Sequence, residues 1–203
     1  MTPLRVGVLA SGRGSNLQAI LDACARPAFP ARVVVVISDR ERATALERAR
    51  AAGIEAVFLN PKDFGDRETY DAAVTRMLGE RQVGLVCLAG FMRILSPAFV
   101  RAWRGRALNI HPSLLPAFAG LHPQRQALDH GARVSGATVH FVDEGVDTGP
   151  IVLQSAVPVQ PDDTEDTLAA RILTEEHRLY PEAVRLFALG RLRIAGRQVI
   201  IER

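Results

Sequence analysis

Short apolar runs alternate with amphipathic segments along the first half of the chain. The run VVVVI at residues 33–37 has no polar alternation, which is typical of a parallel strand buried on both faces. Leu17, Ile20 and Leu21 recur at helical spacing and predict a helix with one apolar face. The pattern predicts strands at residues 5–10, 31–38, 54–59 and 83–89, and helices at residues 17–25, 43–52 and 66–80. This alternation favours a parallel sheet with right-handed crossovers.

The second half of the chain has a different order of elements. The pattern predicts a short helix that follows Ser96, strands at residues 107–110, 137–141 and 151–159, helices at residues 123–130 and 164–189, and a terminal hairpin at residues 191–194 and 198–201. Pro181 lies inside the longest helical pattern and should kink or divide it. The sequence therefore predicts an α/β fold with a mostly parallel twisted sheet, helices on both faces and a more antiparallel C-terminal part.

Composition limits the class of protein. The chain has 203 residues, 48% hydrophobic and 23% charged, with a formal net charge of +3. We expect one domain over residues 1–203, with no membrane span and no signal peptide, and hence a cytoplasmic protein. Basic and acidic residues are interleaved, which does not indicate a nucleic-acid surface. Cys24 and Cys87 lack metal-ligand spacing and are expected to be buried free thiols.

Two polar side chains end the predicted strand at residues 107–110. Asn109 and His111 lie two positions apart, so both side chains face the same side of an extended chain, and Pro112 ends the strand. Downstream, the Gly-flanked loop at residues 143–150 supplies Asp147. A histidine with a carboxylate partner can act as an acid or base near neutral pH, and Asn can donate to an oxyanion. The same residues could instead only cap a turn.

A glycine-containing loop joins the first predicted strand to the first predicted helix. Its backbone N–H groups form a candidate anion site, which consists of Gly12, Arg13, Gly14, Ser15 and Asn16. No Gly-Lys-Ser/Thr follows, so the loop is not a Walker A motif. Leu17 occupies the position of the third glycine of a dinucleotide fingerprint, although Asp39 could mimic the ribose-binding acid. A tight connector without a ligand is the other interpretation.

The motif N-x-H-P-S-L-L-P at residues 109–116, followed by D-x-G-P at residues 147–150, resembles the folate-dependent formyltransferase family. The resemblance implies a Rossmann-like formyltransferase fold with Asn109, His111 and Asp147 as the catalytic residues. It also implies 10-formyltetrahydrofolate as co-substrate and no metal. In the expected mechanism Asn109 and a protonated His111 stabilise an oxyanion, and Asp147 raises the pKa of His111.

The loop S-G-x-G-S-N-L-Q at residues 11–18 is similar to the phosphate loop of one branch of that family, which formylates glycinamide ribonucleotide in de novo purine (IMP) biosynthesis. The resemblance implies that residues 12–16 bind the substrate phosphate and that Glu176 contacts the substrate. Glu176 could equally be a solvated helix carboxylate. Residues 1–106 would then form a phosphate-binding half, and residues 107–203 a catalytic and folate-binding half.

The resemblance also implies a folate pocket on either side of the catalytic strand. The matching positions are Arg67, Met92, Arg93, Ile94, Leu95, Val100, Asp143, Glu144 and Val146. Ala117, Ala119 and Pro123 depart from the residues that many relatives carry in the intervening loop. From the pattern alone, His140 is expected to be structural or to support the site from behind.

Other functions remain open from the sequence. A formyltetrahydrofolate deformylase would use the same three catalytic residues with water as acceptor, but its members carry an extra N-terminal domain. Methionyl-tRNA formyltransferase adds a C-terminal RNA-binding domain and lacks the S-G-x-G-S-N loop. A non-catalytic protein that binds a phosphorylated ligand could share the fold. We expect small-molecule partners only, with no nucleic acid or membrane, and a monomer or weak homodimer.

Overall fold

The computed structural model describes residues 2–202, which form one nine-stranded sheet flanked by helices. The strands are β1 (Leu4–Leu9), β2 (Ala31–Ser38), β3 (Glu55–Phe58), β4 (Leu85–Leu88), β5 (Ala107–His111), β6 (Val134–Phe141), β7 (Ile151–Pro158), β8 (Leu192–Ala195) and β9 (Gln198–Ile201). The helices are α1 (Ser15–Cys24), α2 (Thr44–Ala51), α3 (Arg67–Glu80), α4 (Pro97–Ala102), α5 (Pro123–Asp129) and α6 (Glu165–Ala188).

The sheet has the order β3-β2-β1-β4-β5-β6-β7-β9-β8. The first five strands in this order, β3, β2, β1, β4 and β5, are parallel to one another. β6 pairs antiparallel with both β5 and β7. The predicted parallel sheet with a more antiparallel C-terminal part is therefore confirmed. The strand order reverses between β1 and β4, and in open α/β sheets ligands bind in the crevice outside the carboxyl ends of the strands at such a point.

Helices cover both faces of the sheet, as the uninterrupted apolar strands predict. Along β4, Leu85 and Cys87 join the core beneath α1 and α6, whereas Val86 and Leu88 join the core beneath α3 and α4. Side chains alternate across a strand, so an all-apolar strand requires a core on each side. Cys87 is fully buried, while Cys24 is only partly buried. Burial raises the pKa of Cys24 to about 11 and that of Cys87 further.

Three predicted helix starts are confirmed by their caps. The side chains of Asp66, Ser96 and Thr164 accept hydrogen bonds from the backbone N–H three residues ahead, and Asp66 and Thr164 form reciprocal capping boxes. Three predicted starts differ from the structure by two residues or more: α1 begins at Ser15 rather than at residue 17, β4 at Leu85 rather than at residue 83, and β6 at Val134 rather than at residue 137. In α1, polar residues begin the helix before its apolar pattern starts.

The prediction that Pro181 could divide the last helix is wrong. α6 runs without interruption for 24 residues, from Glu165 to Ala188. Tyr180 and Ala183, on either side of the proline, are fully buried in the core. The free energy gained by burying these two side chains therefore outweighs the loss of the one backbone hydrogen bond that proline removes.

Tyr180 also connects α6 to the centre of the sheet. Its hydroxyl lies 2.9 Å from the carbonyl oxygens of Leu88 in β4 and Leu108 in β5. One hydroxyl hydrogen is shared between these two acceptors. α6 thus fixes the relative position of the two strands that lead into the candidate site.

Candidate active site

β5 ends at His111 because Pro112 follows, and it presents two polar side chains at its carboxyl end. Asn109 and His111 pair across the sheet with His140 and Thr138 of β6. His111 is buried, and its Nε2 lies 2.9 Å from the carbonyl oxygen of Phe118. This carbonyl accepts from Nε2–H, so Nε2 carries a proton in this arrangement.

Asp147 meets both of these side chains from the loop between β6 and β7. Its Oδ1 accepts from Asn109 Nδ2 at 3.3 Å, and its Oδ2 lies 3.3 Å from His111 Nδ1. The Gly120 N–H donates to the same Oδ2 at 2.9 Å. Asp147 has a φ of 55°, in the left-handed region that non-glycine residues adopt at a small cost. The structure thus brings together the three predicted catalytic residues, with Gly120 fixing the carboxylate.

The candidate phosphate loop forms the N-terminus of α1. Gly14 has a φ of 69°, and a Cβ at this position would lie 2.8 Å from the Ala45 Cα. Only glycine therefore fits there without strain. Ser15 and Asn16 form the first turn, whose backbone N–H groups favour an anion. The carbonyl of Arg13 accepts from Arg48 Nε at 2.9 Å, which ties the loop to α2.

Glu176 lies beside this loop rather than in solvent. Its Oε2 accepts from Asn16 Nδ2 at 2.7 Å, and the residue is buried. Burial raises the pKa of Glu176, and the Asn16 hydrogen bond opposes this rise in part. A buried carboxylate with a single partner at an anion-binding turn has an unused acceptor, so it is suited to bind hydroxyl or amine donors. The interpretation of Glu176 as a solvated carboxylate is wrong.

The predicted folate residues occupy several neighbouring segments with different exposure. In the loop after β4, Met92 is 66% and Ile94 is 67% exposed, so two large apolar side chains face solvent. The Met92 N–H donates to Ser11 Oγ at 2.9 Å, and the Arg93 guanidinium lies 4.6 Å from the Tyr70 ring centroid. An exposed apolar pair on a fixed backbone is suited to a flat aromatic ligand.

The remaining folate positions show less direct evidence of a pocket. Leu95 is half-buried, and Val100 is buried within α4, so its side chain packs inside the protein. Among residues 2–202, the only salt bridge of Arg67 is with Glu68, at 3.2 Å. The charge of Arg67 lowers the pKa of Asp71, which accepts from the Ser96 N–H.

The acidic loop is held partly by its own side chains. Asp143 Oδ1 accepts from the Gly145 N–H and from Thr148 Oγ. Glu144 lies 3.7 Å from Arg101, which connects the acidic loop to α4, and Val146 is 54% exposed. The loop therefore presents one apolar side chain next to Asp147.

Residues 4–184 match the family description "Formyl transferase". The chain belongs to this family. Among its relatives, this formyl transferase is 49% identical to the phosphoribosylglycinamide formyltransferase of Escherichia coli K12, over 94% of this chain and 90% of that protein. It is 55% identical to the trifunctional purine biosynthetic protein adenosine-3 of Drosophila melanogaster over 92% of this chain, which spans only 14% of that protein's length.

Solved structures share the fold of this formyl transferase. The glycinamide ribonucleotide transformylase 1 of Symbiobacterium toebii superposes with a TM-score of 0.97 at 57% identity, covering 99% of this chain and 95% of that one. A formyltetrahydrofolate deformylase of Pseudomonas syringae superposes with a TM-score of 0.91 at 27% identity, covering 100% of this chain and 67% of that one. The formyltransferase fold expected from the sequence is confirmed.

The surroundings of His111 act on its charge in opposite directions. Burial lowers the pKa of His111, and His140 lowers it further, whereas the Phe118 carbonyl and Asp147 raise it. The predicted direction of the Asp147 effect is correct, but burial outweighs it. For Asp147, burial raises the pKa, but the His140 ring, the Gly120 N–H and His111 together hold it below its usual value. Burial thus disfavours the charged form of His111, while an acceptor at each ring nitrogen, the Phe118 carbonyl and Asp147 Oδ2, favours it.

His140 is closer to the chemistry than the sequence indicates. Its Nε2 lies 3.2 Å from Asn109 Nδ2 and 3.6 Å from Asp147 Oδ1, while Nδ1 faces the Phe141 carbonyl at 2.9 Å. Nδ1–H donates to this carbonyl, which leaves Nε2 to accept from the Asn109 amide. The alternating strand pattern around His140 is a signal that could have found this contact.

The C-terminal hairpin also contacts this formyl transferase site, which the sequence does not indicate. Arg197, in the turn between β8 and β9, donates through Nη2 to the Thr148 carbonyl at 3.0 Å. This bond holds the end of the loop that carries Asp147. Among residues 2–202, no group of three or more His, Cys, Asp or Glu side chains is arranged to hold a metal, and no helix is long and apolar enough to cross a membrane.

Proposed function

We propose that this protein transfers the formyl group of 10-formyltetrahydrofolate to the amine of glycinamide ribonucleotide, giving the N-formyl product and tetrahydrofolate in purine biosynthesis. The observation that carries the proposal is the meeting of Asn109, His111 and Asp147 within 3.3 Å at the carboxyl end of β5. The E. coli relative, matched over 90% of its length, is named for this activity.

The substrate side of the proposal rests on the loop at α1. We assign the substrate phosphate to the loop formed by residues 12–16, where helix N–H groups and Gly14 leave room for an anion. The free acceptor capacity of Glu176 is suited to ribose hydroxyls or the amine. The folate ring is assigned to the exposed apolar side chains of Met92, Ile94 and Val146, which flank the catalytic strand.

The chemical step follows from the positions of the donors. The substrate amine attacks the formyl carbon, a C–N bond forms, and the carbonyl electron pair moves to oxygen. Asn109 Nδ2 and His111 Nε2–H stabilise this oxyanion. The C–N bond to the folate then breaks, and the amine proton passes to the folate nitrogen with the help of Asp147. The formyl carbon is never bonded to the protein.

The resting hydrogen bonds set a condition for this step. Asn109 Nδ2 faces Asp147 and His140, and His111 Nε2–H is donated to the Phe118 carbonyl. The formyl oxygen must therefore replace the Phe118 carbonyl as the acceptor of His111 and Asp147 Oδ1 as an acceptor of Asn109 Nδ2. Phe118 has a φ of 55° in the loop at residues 112–122, and we infer that this loop shifts when substrates bind.

A spectrophotometric assay of folate release tests the function. We expect release from 10-formyltetrahydrofolate only when glycinamide ribonucleotide is present. Release without the nucleotide would instead assign the protein to the deformylases, whose fold it shares. Binding of folate without any turnover would point to a non-catalytic ligand-binding protein. We further propose a cytoplasmic protein that acts on small molecules as a monomer or weak homodimer, which sedimentation analysis tests.

A further inference from the structure

A cavity borders the first residues of the phosphate loop. It has a volume of about 880 Å³ and opens at the carboxyl ends of β1, β2 and β3. It shares Ser11, Gly12 and Arg13 with the loop, but neither Asn16 nor Glu176 lines it. A Cβ on Gly12 would meet nothing within 4 Å, so the backbone there is open to a ligand. We call this cavity the β2 groove.

Positive charge dominates the walls of the β2 groove. The basic side chains are Arg13, Arg40, Arg42, Lys62 and Arg93, against which stand only two carboxylates, Asp39 and Glu41. Within residues 2–202, the one salt bridge among these groups joins Arg40 to Asp39, at 3.6 Å. Arg42 and Lys62 are exposed and take part in no salt bridge in that part of the chain. The groove therefore attracts an anion, and arginine is suited to phosphate.

Two buried polar atoms on the same walls have no partner. Asp39 is 7% exposed, and its Oδ1 makes no hydrogen bond. The Nε of Arg93 is also buried without a partner. A buried polar atom without a hydrogen bond destabilises the folded protein. A ligand that supplies the missing hydrogen bond would remove this penalty. Asp39 requires a donor such as a hydroxyl, whereas Arg93 requires an acceptor.

The position of Asp39 in the fold also favours a hydroxyl group as its hydrogen-bond donor. It follows β2 directly, and β2 neighbours β1 in the sheet. In dinucleotide-binding α/β folds, the acid at the end of the second strand accepts from a ribose hydroxyl. We propose that the β2 groove binds a ribonucleoside phosphate, with a ribose hydroxyl donating to Asp39 Oδ1 and the phosphate oxygens accepting from the basic side chains.

The chemistry of the groove favours this ligand over a polycarboxylate. A peptide-like chain of carboxylates would satisfy the arginines but would place negative charge against Asp39, which already lacks a donor. A nucleoside phosphate carries hydroxyl donors and anionic acceptors on one molecule, and a cavity of this size accommodates it. Gly12, Arg13 and Arg93 border both this groove and the candidate active site, but the proposal rests on Asp39, Arg42 and Lys62 and does not depend on the proposed function.

Isothermal titration of the full chain, without folate or glycinamide ribonucleotide, tests the proposal. The probes are ADP, 2′,3′-dideoxy-ADP and pyrophosphate. We expect ADP to bind at least about tenfold more tightly than the other two, because only ADP donates to Asp39. Asp39→Ala would disturb a buried position, so the surface double variant Arg42→Ala/Lys62→Ala is used. It should weaken ADP binding about tenfold or more.

The matched control is Arg76→Ala, which removes an exposed arginine on α3 outside the groove and should leave ADP binding unchanged. Equal binding of ADP and dideoxy-ADP, or no ADP binding at millimolar concentration, overturns the proposal. It is also overturned if ADP binding is lost in Glu176→Gln but kept in Arg42→Ala/Lys62→Ala, because the ligand would then occupy the substrate loop. Tighter binding of pentaglutamate than of ADP overturns it as well.

Discussion

Asn109 and His140 face each other as direct partners across β5 and β6, with 3.2 Å between the Asn109 Nδ2 and the His140 Nε2. The imidazole thus orients the amide that we assign to the oxyanion. A side chain that only positions another group should affect the chemical step more than substrate binding. This contact gives the first prediction.

Replacing His140 by Ala should lower kcat about tenfold with little change in KM, because Asn109 loses its orienting acceptor. His140→Gln, which can still accept a hydrogen bond, should restore part of the rate. Steady-state kinetics measure both variants. Ser135→Ala is the control in the same strand, since its buried hydroxyl has no partner and should be dispensable. Equal losses in the Ala and Gln variants would show that His140 acts only by packing.

Removing an oxyanion donor should have a much larger effect. We expect Asn109→Ala or His111→Ala to lower kcat by about 100- to 1,000-fold. Circular dichroism and thermal melting establish that each variant is folded. A loss smaller than about tenfold in a folded variant would rule out the assigned role.

The pKa of His111 should respond to its carboxylate neighbour. Because burial lowers this pKa below 6.5, His111 should titrate below the range of an exposed histidine. Asp147 attracts the protonated ring, so Asp147→Asn should lower the His111 pKa further. Histidine ring proton resonances followed by NMR against pH measure this shift, with His111→Gln as the assignment control. A higher pKa in Asp147→Asn would contradict the electrostatics described here.

Glu176 should reduce the stability of the free protein as pH rises. Its folded pKa lies above the usual 4.5, so the folded state holds the proton more tightly than the unfolded chain. The burial penalty is absent below pH 4.5 and complete above the folded pKa. Glu176→Gln should therefore raise Tm increasingly with pH, by about 2–4 °C per kcal/mol of penalty removed. Thermal melts from pH 4 to 8 give the comparison.

The neighbouring residue provides a control of opposite sign. Hydrogen bonds from Ser155 and Arg178 hold the pKa of Glu175 below its usual value. Its carboxylate stabilises the folded state above pH 4.5, and this contribution is lost as pH falls. Glu175→Gln should therefore leave Tm unchanged or lower it at neutral pH. A rise in Tm for both variants would mean that a general charge effect, rather than burial, is responsible.

The two glycines of the phosphate loop should differ in tolerance. Gly14→Ala forces a left-handed backbone, at about 1–2 kcal/mol, and a clash with Ala45, so it should lower Tm by several degrees and raise KM for the nucleotide. Gly12→Ala meets open space and should leave Tm almost unchanged. Thermal melting of the pair checks this. Equal destabilisation would show that crowding at Ala45 is not the cause.

Sequence pattern predicts the local parts of this structure well. β2 has the predicted bounds because an unbroken β-branched run permits no other element, and Asp66 and Thr164 cap helices through bonds made within four residues. Pro181 shows the limit of local rules, since burial of Tyr180 and Ala183 decides the outcome and is set by the whole fold.

The site depends on contacts that no spacing predicts. Asn16 and Glu176 are separated by 160 residues, and only the family resemblance placed them at one site. The pKa of His111 depends on how deeply β5 is buried, and the contact of His140 with Asn109 depends on the register of β6 against β5. Residue types therefore identified the chemistry, whereas the charge states required the fold.

The bond between Tyr180 and the two central strands has a consequence for the synthesis of the chain. α6 supplies both Glu176 and the hydroxyl that joins β4 to β5, so these contacts cannot form until nearly nine-tenths of the 203 residues have been made. A nascent chain that carries the catalytic motif at residues 109–116 still lacks the helix that fixes it in place. The site therefore becomes complete only after α6 has been made and has packed against the sheet.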